Sequence, residues 1–144
     1  MLKVKDIMTT DVFVLYATDT LELARSLMNV EHIRHVPIVN TDGHFVGLLT
    51  HRDLLSLTIS LLADIDEKEQ ADLDRHIPIK KVMKTKVATA SPELDLGSAI
   101  AILLKNKYGC LPVVADKKLV GIVTEADFLK LTYTLLKDKE EGRL

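Results

Sequence analysis

The chain has no tryptophan and a single cysteine, only 4% of its 144 residues are aromatic, and neither sign of charge dominates, the formal net charge being −2. Each shortage removes a class of function. A sequence-tolerant platform for single-stranded nucleic acid stacks bases on aromatic rings, and here there are too few. A binder of the phosphate backbone needs a basic field, which 19 Lys and Arg against 21 Asp and Glu do not supply. Nucleic acid is therefore not an expected partner. Cys110 alone can form no intrachain disulfide, which fits a reducing compartment, and in the apolar run before Leu111-Pro112-Val113-Val114 it reads as a small core residue. Met1-Leu2-Lys3-Val4-Lys5-Asp6 lacks the apolar segment of a signal peptide. The longest apolar stretch, residues 54–63, is about half a membrane span and is interrupted by Ser56, Thr58 and Ser60. No membrane insertion is expected, and a cytoplasmic location is.

What is present is enough apolar material for a core: 47% hydrophobic and 28% charged residues, in a chain long enough to bury roughly 68–70% of its unfolded surface. That material is arranged as a duplication. A shift of 75 aligns Lys5 with Lys80, Met8 with Met83, Leu21 with Leu96, Ala24 with Ala99, Pro37 with Pro112 and Val39 with Val114. After one residue is dropped in the next turn, a shift of 74 aligns Gly47 with Gly121, Thr50 with Thr124 and Asp53 with Asp127.

Each copy opens with a short turn-like segment, residues 4–8 or 79–83, followed by a brief extended piece, 12–15 or 87–90. A helix with apolar residues at helical spacing follows, signalled by Asp19 or Thr20 in the first copy and by Ser91-Pro92-Glu93 in the second. Then come a strand with an early proline, a tight turn and a second strand, which together predict a hairpin. A closing helix starts at Thr-x-x-Asp. The expected fold is α/β (α+β), two β-α-β-β-α repeats sharing a core about a pseudo-twofold axis, because a unit of about 50 residues is marginal alone. Residues 1–63 form the first repeat, 64–75 an acidic helical linker read as a solvated connection, and 76–144 the second repeat with its C-terminal helix.

The junctions carry the chemistry. In Gly47-Leu48-Leu49-Thr50-His51-Arg52-Asp53 and Gly121-Ile122-Val123-Thr124-Glu125-Ala126-Asp127 a buried strand runs into a helix start, where free backbone N–H groups favour an anion or a hydroxyl-rich ligand. Thr followed three residues later by an acid is also a capping-box-like helix start, which explains the Thr and Asp but not the preceding Gly.

These two Gly-hydrophobic-hydrophobic-Thr-x-x-Asp motifs, the two hydrophobic-Pro-hydrophobic-Val strands, and the Asp-Ile-Met and Lys-Val-Met openings resemble a tandem pair of CBS domains, a Bateman module, from about Val4 to about Leu131. The resemblance implies a regulatory sensor without catalytic activity. Its ligand would be AMP, ADP, ATP, S-adenosylmethionine or a related adenosyl molecule, bound in clefts between the repeats. It further implies a homodimer and a regulated partner protein whose identity the sequence does not give. By position, Asp53 and Asp127 would accept from ribose hydroxyls, and Thr50 and Thr124 would contact ribose or phosphate. Val14 and Thr89, with the segments around His35-Val36-Pro37 and Cys110-Leu111-Pro112, would line the base. No cofactor is required by the pattern.

The copies differ in charge. Around its motif the first has His32, Arg34, His35, His51 and Arg52, where the second has Lys107, Gly109, Cys110, Glu125 and Ala126. Arg52 near a helix start suits a phosphate and Glu125 repels one, so the first site is expected to prefer a phosphorylated nucleotide and the second a less anionic ligand or none. The histidines do not fall at metal-ligand spacing, and no nucleophile-base set can be assembled, so neither a metal site nor an enzyme is expected. The alternative is a nucleotide-independent interaction or dimerisation module docking through the amphipathic helices at 54–63 and 126–136.

Overall fold

The computed structural model describes residues 1–60 and 67–143. Its elements, in chain order, are α1 (Val4–Ile7), β1 (Leu15–Tyr16), α2 (Leu21–Glu31), β2 (His35–Val39), β3 (Phe45–Thr50), α3 (His51–Ser60), α4 (Glu67–His76), a 3-10 turn (Ile79–Lys81), α5 (Leu96–Lys105), β4 (Cys110–Ala115), β5 (Lys118–Thr124) and α6 (Glu125–Glu140). The expected β-α-β-β-α order is present. In the first copy β1 pairs parallel with β2, which pairs antiparallel with β3. In the second, β4 and β5 form the hairpin, and Ala90 bridges Val113 in parallel as Leu15 does Ile38.

Local chemistry sets the element ends. Thr20 caps α2 by accepting from the Leu23 N–H at 3.4 Å. The second copy departs from expectation: α5 starts at Leu96, capped by Asp95, whose carboxylate accepts from the Ser98 N–H at 2.9 Å and the Ser98 hydroxyl at 2.7 Å. Ser91 to Leu94 is instead a turn, closed by Leu94 N–H to Ser91 C=O at 3.1 Å. Glu93 in that turn meets Lys5 at 2.8 Å and Lys3 at 2.9 Å. The β2–β3 turn is held by the Asn40 side chain, which accepts from Asp42 N–H and His44 N–H, both at 3.0 Å. The shorter β4–β5 turn places Asp116 and Lys117 both at positive φ, 50° and 68°, the geometry that matches the twist of a two-residue hairpin.

The chain forms two compact units whose composition differs from the sequence segments 1–63, 64–75 and 76–144. One contains the described residues of Phe13–Val87 with Lys117–Leu119; the other contains those of Met1–Val12, Ala88–Asp116 and Val120–Leu144. Each repeat body therefore packs with the opening of the other repeat. Ile79, from the second opening, is fully buried with Leu21, Val36, Ile38, Leu49 and Leu54. Its counterpart Val4, from the first opening, is fully buried with Leu96, Ala99, Leu111, Val113 and Val123. Burying one such side chain contributes about 1.5–3 kcal/mol. The two openings also extend their host hairpins: Leu48 and Lys84 exchange backbone hydrogen bonds at 2.8 Å each, and Ile122 and Thr9 at 2.9 Å each.

Gly47 and Gly121 are where that approach is closest. A Cβ on Gly47 would lie 2.7 Å from Met83 Sδ and 3.0 Å from the Lys84 carbonyl oxygen. One on Gly121 would lie 2.7 Å from Met8 Sδ and 2.9 Å from the Thr9 carbonyl oxygen. The glycine of each motif thus has a packing reason independent of any ligand.

The connection at 64–75 is more than a solvated linker. Its positions 64–66 lie outside the described residues, but α4 docks on α2. Asp74 is 1% exposed, within 2.5 Å of Arg25 Nε, and accepts from Gln70 Nε2 at 2.9 Å. Arg25 also donates to the Leu54 carbonyl at 3.3 Å, and Arg75 pairs with Glu22 at 2.9 Å. A sequence of alternating charges does not reveal which one finds a buried partner. Among the described residues, no helix is long and apolar enough to cross a membrane.

Candidate functional site

The pairing register places the predicted residues. His35 faces Thr50 and Pro37 faces Leu48 on one face of the β2–β3 hairpin, while Val36, facing Leu49, lies on the other and is fully buried in the core. Val36 can therefore serve a ligand only through its backbone. The same holds for Leu111, also fully buried in its core. Val14 is half-buried in the extended segment before β1, and Thr89 is exposed.

At the β3–α3 junction, Thr50 is 6% exposed. Its N–H donates to Asp53 Oδ2 at 2.9 Å, its hydroxyl donates to the same oxygen at 2.8 Å, and the Asp53 N–H donates back to Thr50 Oγ1 at 3.2 Å. This is the capping box that the spacing allows. The remaining oxygen, Oδ1, is 2.9 Å from Lys84 Nζ. Lys84 arrives from the opening of the second repeat, set in place by its backbone bonds to Leu48. Asp53 thus sits in a half-buried, charge-paired position. A carboxylate offers about four acceptor positions, so capping and the lysine leave it able to accept from a further hydroxyl.

The second junction repeats the cap without the cation. Thr124 N–H donates to Asp127 Oδ2 at 2.8 Å, with the hydroxyl at 3.4 Å. Thr9 stands where Lys84 stands in the first copy. Among the described residues, the other oxygen of Asp127 has no hydrogen-bond or ion-pair partner. Glu125 is exposed at the first turn of α6, its N–H on the Gly109 carbonyl at 3.1 Å. Cys110 is 1% exposed, and burial, with a smaller contribution from the Glu125 charge, pushes its thiol up to about 12. It is inert core in this state rather than a nucleophile. Pro112 beside it is buried as well.

The other basic residues predicted for the first site do not all gather at Asp53. Arg34 and His51 line a cavity of about 550 Å³ together with Arg25, Asn29, His32 and Leu54. At about 100° per residue, His51 and Leu54 share a face of α3 from which Asp53 points away. Arg52 is exposed and lines neither the cavity nor, among the described residues, any ion pair. Sequence reasoning missed Lys84, the cation nearest the carboxylate. Its signal was available in the alignment of Met83-Lys84 with Met8-Thr9, but only the exchange of openings between units gives it meaning. Among the described residues, no group of three or more His, Cys, Asp or Glu is placed to hold a metal ion.

Comparison with known proteins agrees with this geometry. The CBS domain family matches the chain twice, at residues 4–59 and 79–133. The structure of AcuB of Vibrio cholerae, a protein assigned to acetoin utilization, superposes with a TM-score of 0.79 at 38% identity, covering 98% of this chain and 97% of that one. CBSX2, crystallised with AMP, gives a TM-score of 0.79 at 23% identity over 94% of this chain and 98% of its own. The CBS domain pair of protein MJ0100, crystallised with 5-methylthioadenosine and S-adenosyl-L-methionine, gives 0.77 at 24% over 93% and 98%. With both repeats matched and their strand, turn and junction geometry duplicated, the chain belongs to the CBS domain family as a tandem pair.

Proposed function

We propose that this chain is a regulatory sensor that binds an adenosyl ligand at the Thr-x-x-Asp junctions and controls a partner protein. The observation that carries the reading is the Lys84–Asp53 pair at 2.9 Å. It puts an acceptor for ribose hydroxyls and a donor for phosphate side by side at a helix start that already favours anions. The first junction therefore suits a phosphorylated nucleotide, AMP, ADP or ATP, with Thr50 and Asp53 on the ribose, Lys84 and Arg52 on phosphate, and His35 and Pro37 on the hairpin face beside them. The second, with Asp127, Thr124 and the acidic Glu125, suits a neutral or cationic adenosyl ligand such as S-adenosylmethionine. The ligands in CBSX2 and MJ0100 support the ligand class. A homodimer belongs to the same proposal: α6 has no buried residue, and Leu129, Tyr133 and Leu136 are 71%, 64% and 57% exposed along it.

A thermal-shift panel tests this. Ligand at about 100 times its dissociation constant stabilises by roughly 2.7 kcal/mol. The expected result is a shift with AMP or ATP that Asp53→Ala removes, and a shift with S-adenosylmethionine that Asp127→Ala removes. No shift with any adenosyl ligand overturns the reading in favour of an interaction module. That second reading has its own support: both capping boxes and both motif glycines are accounted for by folding alone.

A further inference from the structure

We propose that the cavity between α2 and α3 is a second ligand site, separate from the Asp53 carboxylate, and that it takes an organic phosphate monoester with an apolar body. Its volume, about 550 Å³, is that of a small-molecule site. Two guanidinium groups (Arg25, Arg34), two imidazoles (His32, His51) and the Asn29 amide line it over an apolar floor that includes Leu54, and among the described residues no carboxylate does. In a chain with more acidic than basic residues, this is a local reversal of sign.

Three observations separate this cluster from ordinary surface charge. First, Arg25 is already fixed by Asp74 and by the Leu54 carbonyl, so its ordering is complete before any ligand arrives, although Asp74 offsets part of its charge. The side chains of His32, Arg34 and His51 make no hydrogen bond or ion pair among the described residues and keep their donors available. Second, His32 ends α2 in the left-handed conformation, φ 54° and ψ 40°, a position that glycine fills at lower backbone cost. What a histidine adds there is an imidazole in the cavity wall. Third, the fold does not require the cluster. In the second copy Arg25, Asn29, Arg34 and His51 correspond to Ile100, Leu104, Gly109 and Glu125, yet the same helices, strands and junction form. The two guanidiniums and two imidazoles suit a phosphate dianion, and the floor suits an aromatic or aliphatic body.

The test is an amide-resolved NMR titration with phenyl phosphate and with inorganic phosphate, on the wild type, Arg34→Gln and Asp53→Asn. The proposal expects saturable shifts of the amides of Asn29, His32, Arg34 and His51 with phenyl phosphate. Affinity falls about tenfold or more in Arg34→Gln, as the loss of one charge-assisted contact requires. Asp53→Asn leaves it unchanged, and inorganic phosphate binds the same amides more weakly because it lacks the apolar body. Shifts that do not saturate, that keep wild-type affinity in Arg34→Gln, or that disappear in Asp53→Asn overturn it. The last outcome assigns the binding to the junction site instead, while failure of the adenosyl reading leaves the cavity titration unaffected. Arg34 is exposed, and the spectrum of the variant itself reports whether it has folded.

Discussion

Replacing Gly47 by Ala adds one methyl group at the point where the second opening lies against β3. The new Cβ would be 2.7 Å from Met83 Sδ and 3.0 Å from the Lys84 carbonyl oxygen. The two contacts differ in how they yield. The thioether is the far part of a flexible side chain and can rotate away at about 0.5–1.5 kcal/mol if it leaves its rotamer well. The carbonyl is backbone, held by the reciprocal Leu48–Lys84 hydrogen bonds at 2.8 Å, so it can move only by lengthening both. Together these put the cost at about 1–3 kcal/mol, the usual range for one extra methyl in a close-packed place. Urea unfolding of Gly47→Ala, Met83→Ala and the double variant measures it. Removing the thioether leaves room for the methyl, so the double variant should be more stable than the sum of the two single effects predicts, by about 0.5–1.5 kcal/mol. Simple additivity, or a Gly47→Ala protein as stable as the wild type, would refute the packing explanation and return the glycine to a role in ligand approach.

Further outcomes follow from other contacts. Asp127→Ala removes a capping carboxylate and should cost about 0.5–2 kcal/mol, whereas Asp53→Ala also removes the ion pair with Lys84 and should cost more; denaturant midpoints of the two variants decide it. Arg25→Ala leaves the buried Asp74 charge without its cation and should destabilise by about 3–5 kcal/mol, while replacing both by apolar residues of similar size should recover most of that loss. Hydrogen bonds from Lys5 and Lys3 hold the Glu93 carboxyl down to about 2, against an ordinary 4.5. A depressed acid stabilises above its unfolded value and loses that contribution as pH falls through the folded one. The Lys5 amide should therefore lose protection, relative to its intrinsic exchange rate at each pH, as pH drops from 4.5 toward 2, an effect absent in Glu93→Gln. Cys110, with its thiol pushed up to about 12, should resist alkylation in native buffer and react only after unfolding.

The dimer proposal rests on one face of one helix. Leu129, Tyr133 and Leu136 recur at helical spacing along α6 and are all exposed. Sedimentation of Leu129→Glu with Leu136→Glu against the wild type would show whether that face is covered in solution.

By itself the sequence determined the duplication, the order of elements, the hairpins and the two Thr-x-x-Asp helix starts. Those follow from short-range patterns: apolar spacing, turn residues, and caps that bond within three or four positions. It misplaced the start of α5, because Ser91-Pro92-Glu93 resembles a helix start while Asp95 makes the capping bond. Tertiary structure decided everything that joins distant residues. The openings are exchanged, so Ile79 fills the first repeat's core and Val4 the second's, and Lys84 meets Asp53 across 31 positions. It also turned an acidic linker into a docked helix through one buried carboxylate, and grouped Arg34 and His51 with Arg25 rather than with Asp53. A charge carries no mark in the sequence of the partner that will neutralise it. That pairing appears only when packing brings the two together and removes the water between them.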